Sequence, residues 1–150
     1  MTRAHPRIRG RRGQSLVEFA LVVPILLLML VGIIEFGRAW NISQTVTFAA
    51  RQGARKAAVL NVYMKNPADL PAATDSVVAA VDTVLASNNI ACSGCVDSIT
   101  GLNGGANTPV TVWVGVPYQF MLLGPVMALA GESFANGTIT LRSAAVMRNE

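Results

Sequence analysis

The chain has 150 residues, of which 52% are hydrophobic and only 13% are charged. This length accommodates one folded unit with an additional segment rather than several large domains. The net charge of +4 comes from the first 13 residues, because the rest of the chain carries seven basic and eight acidic side chains. A nearly neutral folded part lacks the basic stripe that a nucleic-acid-binding surface requires, so we expect no nucleic-acid partner.

The first 13 residues form a basic leader with five arginines and no acidic residue. Positive charge beside the first hydrophobic span of a chain keeps that end in the cytoplasm. We therefore predict a cytoplasmic leader at residues 1–13 and an extracytoplasmic domain, on the cell surface or in the periplasm, at residues 37–150.

An apolar segment follows the leader. Residues 13–35 read GQSLVEFALVVPILLLMLVGIIE, and the 16 residues between Glu18 and Glu35 are uncharged. Extended back toward Ser15, the segment reaches the roughly 20 residues that cross about 30 Å of hydrocarbon. Large apolar residues occupy every helical face, whereas a soluble amphipathic helix has one apolar stripe. The segment predicts a single transmembrane helix at residues 14–36.

Glu18 is the exception within this segment. A carboxylate near the bilayer centre costs about 3 kcal/mol, and such residues usually have a partner or a function. Glu18 is the fifth residue after Gly13 and follows a basic leader, which resembles the signal of type IV pilins. The resemblance implies that a prepilin peptidase cuts between Gly13 and Gln14. The new amine of Gln14 then lies one helical turn from the Glu18 carboxylate.

Other interpretations of this end of the chain stay open. Glu18 also fits the cytoplasmic interface of an ordinary signal anchor. Gly37 and Ala39 form a small-x-small pattern like that of a secretory signal peptide, although the apolar segment exceeds the usual roughly 7 to 15 residues. Arg11 and Arg12 suggest a twin-arginine signal, but no bulky apolar residue follows within three positions.

The next residues predict two helices. Small and apolar residues at helical spacing continue the first helix, as an amphipathic helix, to about residues 62–66, with its small residues packed against a sheet. Pro24 removes a backbone donor and is expected to kink this helix. Residues 71–87 place their valines on one face and predict a second helix, with Asp75 and Asp82 on the solvated side.

The last third of the chain predicts strands. Residues 93–107 are rich in Gly, Asn, Ser and Thr, which is typical of loops around short extended pieces. Residues 110–120 and 138–147 predict strands, the first with Pro117 at an exposed edge or end and the second after an Asn136-Gly137 turn. The expected fold is therefore α+β and pilin-like: a long helix, a second helix and a small antiparallel sheet.

The apolar residues 121–130 are too short to span a membrane. They fit either a surface that meets a partner or the bilayer, or a buried loop or short helix.

Candidate catalytic groups are scarce. Cys92 and Cys95 are the only cysteines, and outside the cytoplasm they favour a disulfide loop. A thioredoxin-like redox pair or half of a zinc site are the alternatives, but the helix precedes the pair and no second CxxC motif exists. The one histidine, His5, lies in the leader, so no Ser-His or Cys-His system forms. We expect no enzyme activity, no cofactor and no small-molecule substrate.

Two stretches of this sequence together resemble the TadE-like family, pilin-type components of the tight-adherence (Flp) pilus system of bacteria. They are RGQSLVEFALVVPILLLMLVGIIEFGRA and FAARQGARKAA, and the resemblance is most specific over residues 12–58. It implies processing between Gly13 and Gln14 and an assembly role for the Glu18 carboxylate. The implied partners are other pilin-like subunits, the Tad secretion machinery, a prepilin peptidase and the membrane.

The length of the chain bears on its place in such a system. The major Flp pilin is much shorter, so the resemblance favours a minor pilin or pseudopilin that acts in pilus assembly and adhesion. The alternative is a single-span anchored domain that binds a ligand or polysaccharide at the cell surface, for which Trp113 and residues 121–130 are the candidate contacts.

Overall fold

The computed structural model describes residues 11–63, 66–92, 94–104, 107–121, 124–125 and 138–149. Helix α1 covers Arg11–Tyr63, a short 3-10 helix covers Pro67–Asp69, and helix α2 covers Leu70–Ser87. Three strands follow: β1 at Val96–Thr100, β2 at Pro109–Gln119 and β3 at Thr138–Arg148. The predicted α+β arrangement, with a long N-terminal helix, a second helix and a small antiparallel sheet, is confirmed.

Helix α1 has 53 residues, which corresponds to about 80 Å of helix. Pro24 lies inside it and does not end it. The first described residue, Arg11, is already helical, so the helix includes the three residues before the predicted transmembrane segment at residues 14–36. Its last residue, Tyr63, falls within the range predicted for its end. The Asn136-Gly137 turn lies outside the described residues.

Strand β2 is the centre of the sheet, whose order is β1-β2-β3. It pairs antiparallel with β3 along its whole length, from Pro109 opposite Arg148 to Gln119 opposite Thr138. Its pairing with β1 is shorter, runs from Val114 to Thr111, and contains an irregularity between Val96 and Ser98. Strand β1 is thus one of the short extended pieces expected within residues 93–107.

The position of Pro117 follows from this difference in length. The Gly115 amide donates to the Cys95 carbonyl at 2.8 Å, so the amides of alternate β2 residues face the β1 side. Pro117, two residues further along, faces the same side beyond the last β1 residue that pairs. Its missing N–H group therefore interrupts no pairing among the described strands. Of the two predicted positions for Pro117, the one near a strand end is correct and the one on an edge strand is wrong, because β2 is the central strand.

The core lies between the sheet and the two helices. Alternate residues of β2 point toward α1, and residues of α2 four apart point toward the same interior, so each element buries one face. The buried apolar residues of the two helices and of strands β2 and β3 are Val46, Ala49, Ala50, Ala54, Ala57, Ala73, Val77, Val81, Leu85, Val110, Val112, Val114, Val116, Tyr118 and Ala145. Alanines on α1 against valines on its neighbours bring the backbones close together.

Gly53 marks the closest approach of α1 to its neighbours. A Cβ atom added there would lie 2.7 Å from Cγ2 of Val81 on α2 and 3.2 Å from Cγ1 of Val112 on β2. The predicted packing of small residues against the sheet is therefore correct but incomplete, because α2 packs on the same part of α1.

A buried polar contact joins α1 to the end of β2. The Glu35 side chain is 1% exposed. Its Oε2 accepts a hydrogen bond from the Tyr118 hydroxyl at 2.7 Å, and its Oε1 accepts one from the Met121 amide at 2.9 Å. The Arg38 guanidinium lies 3.7 Å from Oε2. We call these four residues the junction cluster. A buried carboxylate is tolerated only with such partners.

The junction cluster also changes the acidity of Tyr118. Burial raises the pKa of Tyr118 above its ordinary value of 10.0, and the hydrogen bond and negative charge of Glu35 raise it further, while Arg38 lowers it. The folded protein therefore favours the neutral phenol that donates to Glu35.

We predict that Tyr118→Phe lowers the free energy of unfolding by about 1–3 kcal/mol, because Glu35 loses a donor while staying buried. The raised pKa of Tyr118 has a second consequence. The neutral Tyr118 phenol contributes its full stabilisation below about pH 10, where the phenol of the unfolded chain is also protonated. This contribution is lost as the pH rises through the higher pKa of Tyr118 in the folded state. Circular dichroism of the full chain in detergent micelles, followed through denaturant titrations from about pH 8 to about pH 11, measures both effects.

The other tyrosine of the sequence, Tyr63, provides the control. Tyr63→Phe should keep the alkaline loss of stability, whereas Tyr118→Phe should flatten it. Equal alkaline slopes in wild type and Tyr118→Phe would show that Tyr118 does not carry the effect.

We predict that Gly53→Val lowers the free energy of unfolding by about 1–3 kcal/mol, because the added atoms overpack the contact with Val81 and Val112. Gly37→Val is the matched control, since no atom lies within 4 Å of an added Cβ there. Its effect should stay within about 0.5 kcal/mol, the difference in helix propensity. Denaturant unfolding of both variants in micelles tests the comparison, and equal stabilities would contradict the close packing at Gly53.

Candidate membrane-anchor and assembly site

The N-terminal part of α1 extends from the domain with its apolar side chains uncovered. Thirteen large apolar side chains between Leu16 and Ile34 are 47% to 69% exposed. They surround the helix rather than form one stripe, so no single packed neighbour covers them. Contiguous apolar surface of this kind marks a membrane or partner contact. This segment needs lipid or other apolar helices around it.

Among the described residues, two helical stretches are long and apolar enough to cross a membrane, Gly13–Leu60 and Pro67–Ser87. Their surroundings differ. None of the most apolar part of the first stretch is buried in the domain. The second buries Ala73, Val77, Val81 and Leu85 in the core. The apolar end of α1 therefore fits a membrane anchor, whereas α2 is a core helix.

The predicted processing and assembly residues lie at the start of this apolar surface. Gln14 and Glu18 are both exposed, and the Gln14 side-chain amide donates to Oε1 of Glu18 at 3.3 Å. This contact places the two residues on one helical face, as a spacing of four requires. At Gly13, no atom lies within 4 Å of an added Cβ. The structure thus brings Gln14 and Glu18 together on an open helical surface.

Glu35 is a site residue that the sequence reasoning used only as the end of the apolar segment. A signal for its burial exists in the sequence, because Glu35 precedes Ile42, Val46 and Ala49 at helical spacing. This spacing places Glu35 on the same helical face as the core-facing residues, although its charge argues against a buried position. The donors from Tyr118 and Met121 are 83 and 86 residues away, and no local pattern identifies them.

Two aromatic residues follow Glu35 on the uncovered side of α1. Phe36 and Trp40 are 69% and 59% exposed, and their rings stack with centroids 6.2 Å apart and planes 29° apart. The guanidinium of Arg38 lies 5.9 Å from the centre of the Tyr118 ring. The end of the apolar segment is therefore rich in aromatic groups, with one cation beside them.

The cysteines lie between α2 and β1. The structure joins Cys92 and Cys95 by a disulfide, with Cys95 buried and its carbonyl bonded to Gly115 of β2. This loop is continuous with the sheet rather than placed at a helix start. The described part of the chain contains no group of three or more His, Cys, Asp or Glu side chains that would hold a metal ion.

A groove of about 560 Å³ lies between α1 and α2. Its walls combine apolar side chains with two cations and lack carboxylates and imidazoles: Phe48, Gln52, Arg55, Lys56, Val59, Ala80, Thr83 and Val84. This set offers no general base beside a nucleophile. Trp113 is 44% exposed, and of residues 121–130 the structure describes only Met121, Gly124 and Pro125.

The sequence model of the TadE-like protein family matches residues 13–55. No curated protein and no solved structure matches the chain. The matched segment begins at Gly13, contains Gln14, Glu18 and Glu35, and ends in the small-residue part of α1 that packs against β2 and α2. Residues 13–55 of this chain therefore form a TadE-like segment, as their resemblance to that family predicts.

Proposed function

We propose that this protein is a minor pilin or pseudopilin of a Tad/Flp-type pilus that acts in pilus assembly and adhesion. The observation that carries the proposal is the TadE-like segment on an uncovered apolar helix. The family match supports association with a tight-adherence pilus. We further propose that the protein is a subunit of this pilus and that a prepilin peptidase removes its leader.

The apolar surface of α1 has two suitable environments in this proposal. The same exposed leucines, valines and isoleucines contact lipid before assembly and neighbouring helices afterwards. Acyl chains are as apolar as leucine side chains, so the exchange of one for the other brings little hydrophobic driving force. Specific assembly therefore depends on polar and charged groups along the helix.

Glu18 is the polar group that we assign to this step. Cleavage between Gly13 and Gln14 creates an α-amine one helical turn from the Glu18 carboxylate. The 3.3 Å contact from the Gln14 side-chain amide to Glu18 supports a pairing at this point, because it places the two residues on one helical face. Opposite charges attract more strongly in an apolar environment than in water, so the amine and the carboxylate form a pair within one subunit or between neighbours.

The alternative function is an anchored binding domain that stays in the membrane with its leader attached. The groove between α1 and α2 and the exposed Trp113 are its candidate contacts. We assign the Cys92–Cys95 disulfide a structural role in either case, because it closes the loop between α2 and β1. The two functions differ in the fate of the leader.

We predict that the mature chain begins at Gln14. The full chain is co-produced with a prepilin peptidase of a tight-adherence system, and the intact mass of the membrane-extracted protein is measured. Gly13→Val is the control that should keep residues 1–13, because the expected cut directly follows this glycine. No atom lies within 4 Å of a Cβ added at Gly13. An intact leader in the wild-type chain, beside a second substrate that the same peptidase cleaves, would contradict the prediction.

We predict that Glu18→Ala inserts into the membrane normally but enters pili at least about tenfold less well, because a charge pair lost from apolar surroundings is worth more than about 1.4 kcal/mol. Immunoblots of sheared pili and of membranes measure the ratio of the two pools. Asp75→Ala removes an exposed carboxylate of α2 and should leave the ratio unchanged. Wild-type incorporation of Glu18→Ala would remove Glu18 from assembly.

A further inference from the structure

The surface just beyond the apolar segment has the chemistry of a membrane–water interface. Phe36, Trp40 and Met121 are exposed large side chains at 69%, 59% and 66%, and Arg38, which lies beside Glu35 on the domain side of the helix, has 42% of its side chain exposed. We call these four residues the juxtamembrane surface. Trp, with its apolar ring and polar N–H group, and Arg, with its apolar stem and charged head, are residues that favour the headgroup layer.

The junction cluster fixes which side of α1 carries the two aromatic rings. Glu35 faces the domain, where Tyr118 and Met121 donate to it. Phe36 and Trp40 follow about 100° and about 140° around the helix from Glu35. Their exposure places both rings on the side that the domain leaves uncovered. They therefore continue the apolar surface of residues 16–34 instead of joining the core.

Distances along the helix agree with an interfacial position. Phe36 and Trp40 lie about 3 Å and about 9 Å beyond Ile34 along the helix axis. Each headgroup layer is about 5–8 Å thick outside the hydrocarbon. Helical side chains also tilt toward the N-terminus, which here is the direction of the membrane segment. The Trp40 ring therefore reaches the headgroup layer when residues 14–34 fill the hydrocarbon.

Met121 and Arg38 are held at the same level by the Glu35 carboxylate. The Met121 amide donates to Oε1 and the Arg38 guanidinium lies 3.7 Å from Oε2. The Glu35 charge is buried and does not face the lipid. The exposed side chains of Phe36, Arg38, Trp40 and Met121 are apolar or cationic, which complements a layer of zwitterionic and anionic headgroups.

We propose that the juxtamembrane surface lies in the lipid headgroup layer, so that the domain rests on the bilayer. The inference depends on the membrane-anchor part of the proposed function and not on processing or pilus assembly. The chain has two tryptophans, Trp40 and Trp113. The inference predicts that Trp40 lies in the headgroup layer and that Trp113 lies away from the bilayer.

Trp113 is a matched internal control. Strand β2 meets Glu35 at Tyr118 and approaches Gly53 at Val112, so it runs from the far part of the domain toward the membrane end. Trp113 lies five residues before Tyr118, which is about 17 Å along the strand. It is 44% exposed and thus accessible to a quencher that reaches it.

The experiment uses the full chain in vesicles of phosphatidylcholine and phosphatidylglycerol whose acyl chains carry bromine near the headgroup. W113F leaves Trp40 as the fluorophore, and W40F leaves Trp113. We expect brominated lipid to reduce Trp40 emission at least about twofold, as an interfacial position requires, and to leave Trp113 emission unchanged. A third variant, W40F/W113F with Leu26→Trp, reports on the span itself and should be quenched by bromine placed deeper in the acyl chain.

Each result other than the expected one overturns the proposal in a different way. Quenching of the Leu26→Trp variant together with unquenched Trp40 means that α1 is inserted but the domain stands away from the bilayer. Blue-shifted Trp40 emission without quenching by bromine means that another copy of the chain covers the ring. Equal quenching of Trp40 and Trp113 means that the lipid contact extends along strand β2, so that it is not made by the juxtamembrane surface as proposed. If none of the variants is quenched, residues 14–34 do not span the bilayer and the membrane anchor is contradicted. The leader-cleavage and pilus-incorporation measurements test the pilus role separately.

Discussion

The whole arrangement depends on one buried carboxylate. Glu35 is removed from water at the point where α1 leaves the domain, and an ionised or neutral carboxyl group there is costly without partners. Both of its oxygens accept a hydrogen bond, one from the Tyr118 hydroxyl and one from the Met121 amide. These donors come from the end of the central strand and the residues after it. A polar contact therefore fixes the register between the exposed helix and the sheet, where apolar packing alone would permit sliding.

Helix α1 changes its surroundings at this contact without a break in its backbone. Before Glu35 most of its large apolar side chains are exposed, and beyond it a stripe of small residues packs against β2 and α2. The stripe allows the close approach seen at Gly53, where valines of two elements meet the helix. Because one continuous helix serves both parts, the domain cannot turn independently of the apolar segment. Under the proposed function, a displacement of the anchor moves the sheet with it.

The helices and the two long strands were predictable because each buries one face and its periodicity records that face. Val77, Val81 and Leu85 indicate α2, and the alternation of residues 110–116 indicates β2. Strand β1 was foreseen only as a short extended piece, since it has five residues and an irregular pairing. Glu18 was identifiable because it interrupts an apolar segment. The role of Glu35 was not, because its donors are more than 80 residues away along the chain.

Helix α1 carries two carboxylates, Glu18 and Glu35, and their oxygens have different contacts. Under the proposed function, this difference decides which of them is accessible to a neighbouring subunit. Each carboxylate has about four positions for hydrogen-bond donors. The partners of Glu35 come from its own domain and enclose it, so a neighbouring subunit has no access to its charge. Glu18 is exposed and is contacted by the Gln14 amide of the preceding turn. Its remaining acceptor positions face the surroundings of the helix. Under the proposed function, these positions meet the amines created by cleavage once neighbouring subunits assemble. In that proposal the apolar surface of α1 suits lipid and protein about equally, and Glu18 supplies the preference for other copies of the helix.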